Sequence, residues 1–227
     1  MGEKMKRSEI NGYIKRAMSF FVENKFCLPS FAFFAPGDWQ GKTEQYHEVF
    51  DLKLGWDVTS FGSGEFKNTG LLLFTLRNGA VNSLRYPKPY AEKIMMTLEN
   101  QVTPKHFHWH KSEDIINRGG GNLIMEVWQA DRNDNITDAE FKLSIDGMER
   151  LFKPGEKLTL GPGESVCMEP YIAHRFYGEP GSGPVMVGEV SMVNDDANDN
   201  CFIDGLPRFD PIEEDADPIV LLVSDYK

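Results

Sequence analysis

A chain of 227 residues, 41% hydrophobic and 26% charged, has the make-up of a globular protein with a sizeable core, which excludes disordered and fibrous classes. Its net charge of −11 repels nucleic acid phosphates and anionic lipid, and no basic patch offsets it, so neither is an expected partner. No stretch reaches the roughly 18 apolar residues of a membrane span, and the three scattered cysteines, Cys27, Cys167 and Cys201, argue for a reducing, cytoplasmic setting rather than a disulfide scaffold.

The charged start, Met1-Gly2-Glu3-Lys4-Met5-Lys6-Arg7, leads into an amphipathic segment rather than the apolar stretch of a secretion signal. Ser8 is a good N-cap, and Ile10, Tyr13, Ile14, Ala17, Met18, Phe20 and Phe21 recur at helical spacing, predicting one amphipathic helix to about Asn24. Between 26 and 42, aromatics alternate with Pro29, Pro36 and Gly37, the pattern of a packed loop. There Phe31 and Phe33 fit a barrel cover or a dimer contact better than a ligand platform. A short amphipathic stretch over 46–54 follows, and then the period changes to that of strands.

The runs 71–75, 93–98, 122–128, 141–145, 157–160, 165–169, 174–177 and 185–192 are short, apolar or β-branched, and separated by Gly, Pro, Asn and Asp. Asp146-Gly147 between two of them signals a hairpin. Many short strands without intervening helices indicate a mainly β antiparallel barrel with an N-terminal helical cover. No repeat or linker divides the chain, so a single domain is expected: about 1–60 helix and packed loops, 61–200 barrel, and 201–227 an acidic segment and tail. From Asp195 to Asp217 nine acidic residues accompany one basic residue, Arg208, which suits a solvated loop or the rim of a polar pocket.

The residues richest in chemistry lie near the middle. In His106-Phe107-His108-Trp109-His110 a strand puts the three imidazoles on one face and the two aromatics on the other. Glu113 follows after a short turn, and His174 comes in Glu169-Pro170-Tyr171-Ile172-Ala173-His174. Three nitrogens and one carboxylate suit Mn, Fe, Ni or Zn, and the absence of a neighbouring thiolate pair favours an open, catalytic site over structural zinc. His110 stands outside the expected ligand set, because three histidines along one strand span about 13 Å, too far to reach a single ion easily.

The segments His106-x-His108-x4-Glu113 and Gly163 to His174 resemble the two metal motifs of the cupin superfamily, which implies a double-stranded β-helix barrel. Lys6-Arg7-Ser8-Glu9-Ile10-Asn11, the stretch from His106 to Gly121, and Gly188-Glu189-Val190-Ser191-Met192-Val193-Asn194-Asp195-Asp196 further resemble the D-lyxose isomerase family, a likeness over nearly the whole chain. That resemblance implies a manganese-dependent sugar ketol-isomerase of cupin fold, a homodimer, with His106, His108, Glu113 and His174 as ligands. The implied reactions are D-lyxose to D-xylulose and D-mannose to D-fructose.

Moving a proton between C1 and C2 requires polar groups beside the metal. Lys111 lies between two expected ligands, as a donor to a substrate oxygen or as a solvated turn lysine. Glu189 falls on one face of its strand by alternation, as a base of raised pKa or as half of an ion pair. Asp204 and Arg208 are candidates for gripping hydroxyls, if they leave the solvated loop. Two other readings fit the ligand set: a dioxygenase using Fe or Ni, and a non-catalytic sugar-binding cupin.

Overall fold

The computed structural model describes residues 4–196 and 198–226. After a two-residue strand, Met5–Lys6 (β1), the chain enters its long helix, Arg7–Glu23 (α1). Ile10, Ile14, Ala17 and Phe21 form the buried stripe of α1, as the periodicity predicts. The helix starts one residue before Ser8, however, and no side chain of its own caps it. Ser8 instead donates its main-chain N–H (2.9 Å) and its hydroxyl (2.6 Å) to the carboxylate of Asp215, so the C-terminal segment supplies the cap.

Arg7 ties the same two ends together. Its guanidinium, only 2% exposed, bonds Glu214 (2.6 and 2.8 Å) and Asp225 (2.8 and 3.0 Å). Removing one partner of a buried ion pair strands the other, and because Glu214 is 57% exposed and can rehydrate, the loss is smaller here than for a fully buried pair. Arg7→Ala is expected to lower stability by about 2–4 kcal/mol, read as a lower urea midpoint at unchanged slope; an unshifted midpoint would show that this pinning contributes nothing.

A short helix, His47–Asp51 (α2), precedes the strands Gly55–Thr59 (β2), Leu71–Arg77 (β3), Tyr90–Thr97 (β4), Thr103–Phe107 (β5), Glu113–Gly120 (β6), Leu123–Gln129 (β7) and Phe141–Ile145 (β8). Met148–Phe152 (β9), Glu156–Leu160 (β10), Ser165–Met168 (β11), Ile172–Gly178 (β12), Val185–Met192 (β13), Cys201–Phe202 (β14) and Ile212–Glu213 (β15) complete them. Eight form one sheet in the order β2-β3-β4-β13-β6-β11-β8-β9, and five form a second in the order β10-β7-β12-β5-β14; β1 pairs with β15 in parallel. Every pairing within the two large sheets is antiparallel.

Strand alternation separates two cores. Trp56, Val58, Leu72, Phe74, Ile94 and Met96 turn outward from the eight-stranded sheet and pack under α1. Leu73, Met95, Ile115 and Val187 turn the other way and meet Met125, Val127, Ile172 and Phe176 of the five-stranded sheet. The protein is therefore mainly β, two antiparallel sheets closed around a common interior beneath a helix. The sequence runs at 141–145 and 185–192 coincide with β8 and β13, and the Asp146-Gly147 hairpin joins β8 to β9. The strands of the large sheets begin at Gly55, where the sequence period changes, and β14 in the acidic segment adds an edge strand to the smaller sheet.

Candidate metal centre and its cavity

One end of the interior is polar. His106 lies on β5 directly opposite His174 of β12, His108 follows one residue after β5 ends, and Glu113 is the first residue of β6 in the other sheet. The ring centroids of His106 and His174 are 4.4 Å apart, those of His106 and His108 5.4 Å, and those of His108 and His174 6.3 Å. Oε1 of Glu113 is 3.3 Å from Nε2 of His174 and 3.5 Å from Nε2 of His108. The four side chains converge, yet among the described residues no three acidic, His or Cys groups stand in a ready coordination arrangement. Here the carboxylate lies directly against the imidazoles.

The orientation of each ring fits the role of a ligand. Nδ1 of His106 faces the carbonyl of Pro104 (2.8 Å), Nδ1 of His108 that of Asp199 (2.6 Å), and Nδ1 of His174 that of Ile172 (3.2 Å). With the proton on Nδ1, all three rings keep an Nε2 lone pair for a cation. Burial holds the pKa of His106 well below its ordinary value, helped by His174 and His108, and burial likewise lowers that of His174, which favours the uncharged, ligating form of each ring. The donor chemistry therefore matches a divalent ion.

Beside these four runs a chain of alternating charges. Nζ of Lys111 bridges Glu113 (2.7 Å) and Glu189 (2.9 Å), and Nζ of Lys93, cross-strand from Glu189, stands 3.2 Å from the same Glu189 oxygen. Lys93 reaches on to Asn194 and Asp196, and Arg208 joins Asp196 (3.4 Å) to Asp57 (2.6 Å). Burial pushes the pKa of Lys111 down, but the charges of Glu113 and Glu189 outweigh it and raise the pKa. Burial also works against ionising Glu113, where Lys111, His108 and His174 prevail and hold the carboxyl well below its usual range. At Asp196 burial again opposes the charge and is overcome by Lys93 and Arg208, so the pKa is lowered.

The four candidate ligands, Lys93, Lys111, Glu189, Asp196 and Arg208 line one cavity together with Leu71, Leu73, Met95, Thr103, Phe176, Asn200, Phe61 and Phe202. Phe202 stacks on His106 (centroids 5.2 Å, planes 27°) and packs on Phe61, forming an apolar wall. Two polar atoms of the lining, Oγ1 of Thr103 and Nη1 of Arg208, are buried without a hydrogen-bond partner among the described residues. Such groups are costly unless a ligand or water satisfies them.

Lys111, Glu189 and Arg208 are thus brought to the expected ligands, and Lys111 is buried rather than a solvated turn residue. Glu189 is an ion-paired carboxylate, and its pKa departs from the expectation: burial pushes upward, but Lys111 and Lys93 together carry it below the ordinary value. Asp204 does not join them; it is exposed in the turn closed by Gly205 N–H to Phe202 O (3.0 Å), and Asp196 stands on the cavity instead. His110 is also exposed, because β5 stops at Phe107 and the following residues leave the strand period. The acidic segment is only partly a solvated loop: Asp196, Asn200, Phe202 and Arg208 form cavity wall, and Asp210 accepts the N–H groups of Ser60 and Gly62. Lys93 and Asp57 escape sequence reading altogether, since β2 and β4 are buried on both faces and show no polar alternation.

Residues 5–226 match the family described as D-lyxose isomerase. The D-lyxose/D-mannose isomerase of Escherichia coli O157:H7 is 50% identical over 98% of this chain and 99% of its own length. That of Serratia proteamaculans is 52% identical over 98% of each chain. Among solved structures, the L-ribose isomerase of Acinetobacter sp. DL28 in complex with L-ribose superposes with a TM-score of 0.61 at 16% identity, over 92% of this chain and 98% of that one. At that identity the likeness concerns the fold.

Proposed function

Because this chain belongs to the D-lyxose isomerase family, we propose that it is a D-lyxose/D-mannose isomerase, interconverting D-lyxose with D-xylulose and D-mannose with D-fructose. What carries the proposal is the identity of about half its residues, over nearly the full length, to two D-lyxose/D-mannose isomerases. The cavity supports it, because isomerisation needs one face that polarises two adjacent oxygens and one group that carries a proton between neighbouring carbons.

His106, His108, Glu113 and His174 are the proposed ligands of a divalent metal, and manganese suits a nitrogen and carboxylate donor set that lacks thiolate. When bound, the ion supplies Lewis acidity to the carbonyl and neighbouring hydroxyl oxygen of the sugar. Glu189 takes the proton from one carbon and returns it to the other. Lys111, Lys93 and Ser191 all contact its Oε1, which leaves Oε2 for that transfer. Lys111 holds Glu113 and Glu189 apart and offers an ammonium to the developing negative charge. The unpartnered Oγ1 of Thr103 and Nη1 of Arg208 meet the remaining hydroxyls, while Phe61 and Phe202 exclude water. Asp204, exposed in its turn, is the weakest of the sequence candidates and is assigned no step.

A homodimer is the proposed assembly, supported by Tyr90, Val190 and Met192, exposed on paired neighbouring strands, and by Val81 and Leu84 in the loop before β4. No helix among the described residues is long and apolar enough to cross a membrane, and the three free thiols support the cytoplasmic reading. Manganese-loaded protein incubated with D-lyxose and with D-mannose is expected to produce ketose from each; ketose from neither would end the proposal.

A further inference from the structure

Between Phe107, the last residue of β5, and Glu113, the first of β6, five residues belong to no strand, although they include the candidate ligand His108 and the buried Lys111. A segment outside the ladder needs some other anchor to hold side chains to the precision a site demands. Asp199 provides it three times. Its carbonyl accepts from Nδ1 of His108 (2.6 Å), its Oδ1 accepts from the N–H of His110 (2.9 Å), and its Oδ2 accepts from the N–H of Lys111 (2.9 Å). The side chain is 7% exposed, so these bonds form where water competes poorly. Asp199 is itself seated by its N–H on the carbonyl of Asp195 (2.9 Å), in the same turn that presents Asp196 to Lys93 and Arg208.

We propose that Asp199 is a positioning residue that fixes His108 and Lys111 together, making metal affinity and the seating of Asp199 on Asp195 a single coupled property. The inference rests on the metal-centre reading above. The carbonyl sets the rotation of one imidazole, and the carboxylate sets the main chain from which Lys111 reaches Glu113 and Glu189. Asn at this position keeps shape and carbonyl but turns one acceptor into a donor, which then faces an N–H. The 108–112 segment loses a bond at one residue and drags the imidazole and the ammonium with it.

The test is Mn2+ titration of metal-free protein by calorimetry, with the visible spectrum of the Co2+ form, for the wild type, Asp199→Asn and Asp199→Glu. Losing an outer-shell partner of a metal ligand typically costs about 10–100-fold in affinity; Asp199→Asn keeps the carbonyl on His108 and disturbs the main chain beside it, so binding is expected to weaken by about 10-fold, with shifted Co2+ bands. At saturating Mn2+ its kcat should fall while KM changes by less than about threefold, since Lys111 is displaced and the hydroxyl-binding wall is not. Asp199→Glu, which keeps the carboxylate, should recover part of the affinity. A wild-type Mn2+ Kd and Co2+ spectrum in Asp199→Asn would overturn the proposal alone, whereas a wild-type protein that binds no Mn2+ would overturn the metal-centre reading with it. Should Asp199→Asn not fold, Asp199→Glu decides: weakened binding with altered Co2+ bands supports the coupling, and affinity and bands identical to wild type refute it.

Discussion

His174→Ala is expected to leave the protein folded but without tightly held divalent metal, and to cut turnover of D-lyxose by at least about 10³-fold. The size follows from the several kcal/mol of transition-state stabilisation that a Lewis acid contributes, at roughly tenfold in rate per 1.4 kcal/mol. The fold should survive because β12 is held through main-chain pairing with both β5 and β7, and the lost ring belongs to the polar end of the interior rather than to its apolar core. Metal content after dialysis and a ketose assay measure the two losses together. Full metal occupancy in the variant would refute the assignment of His174 as a ligand.

Glu189→Gln is the complementary case, in which metal should stay and chemistry should fail. The carboxylate is not one of the candidate ligands and is joined to Glu113 through Lys111, so its amide leaves the four donors intact. A positioned proton carrier contributes about 10²–10⁴-fold to a proton transfer, and kcat is expected to drop by that factor with KM little altered. The substitution also leaves Lys111 and Lys93 sharing one anion fewer, so a lower melting temperature should accompany the loss. Turnover within threefold of wild type would remove Glu189 from the reaction and leave the transfer to another group.

Much of the site was legible beforehand because its donors are chemically rare and closely spaced. His106, His108 and Glu113 fall within eight residues, and their residue types, with that of the more distant His174, point to a candidate cation site from the sequence alone. The helix α1 was legible for a similar reason: one stripe of apolar side chains at period 3.6 has few other uses. His110 shows where local pattern fails. The alternation that correctly turns His106 inward also predicts His110 inward, but a strand's period holds only while the ladder lasts, and β5 ends at Phe107.

By itself the sequence determined a mainly β chain under a helical cover and a nitrogen and carboxylate donor set, because period and residue chemistry are local properties. Only the tertiary structure decided the company these donors keep. Lys93 sits on a strand buried on both faces, and Asp196 and Asp199 sit in an acidic stretch that also reads as solvated, so no local signal marks them, whereas Arg208 of the same stretch stands out as its one basic residue. They reach the cavity because sheet pairing brings β4 beside β13 and because the chain after β13 folds back across the β5–β6 connection, where buried N–H groups and ammonium ions require carboxylates as partners. That pairing of distant charges, enforced by the cost of burying them alone, turns a set of metal-binding residue types into an ordered cavity.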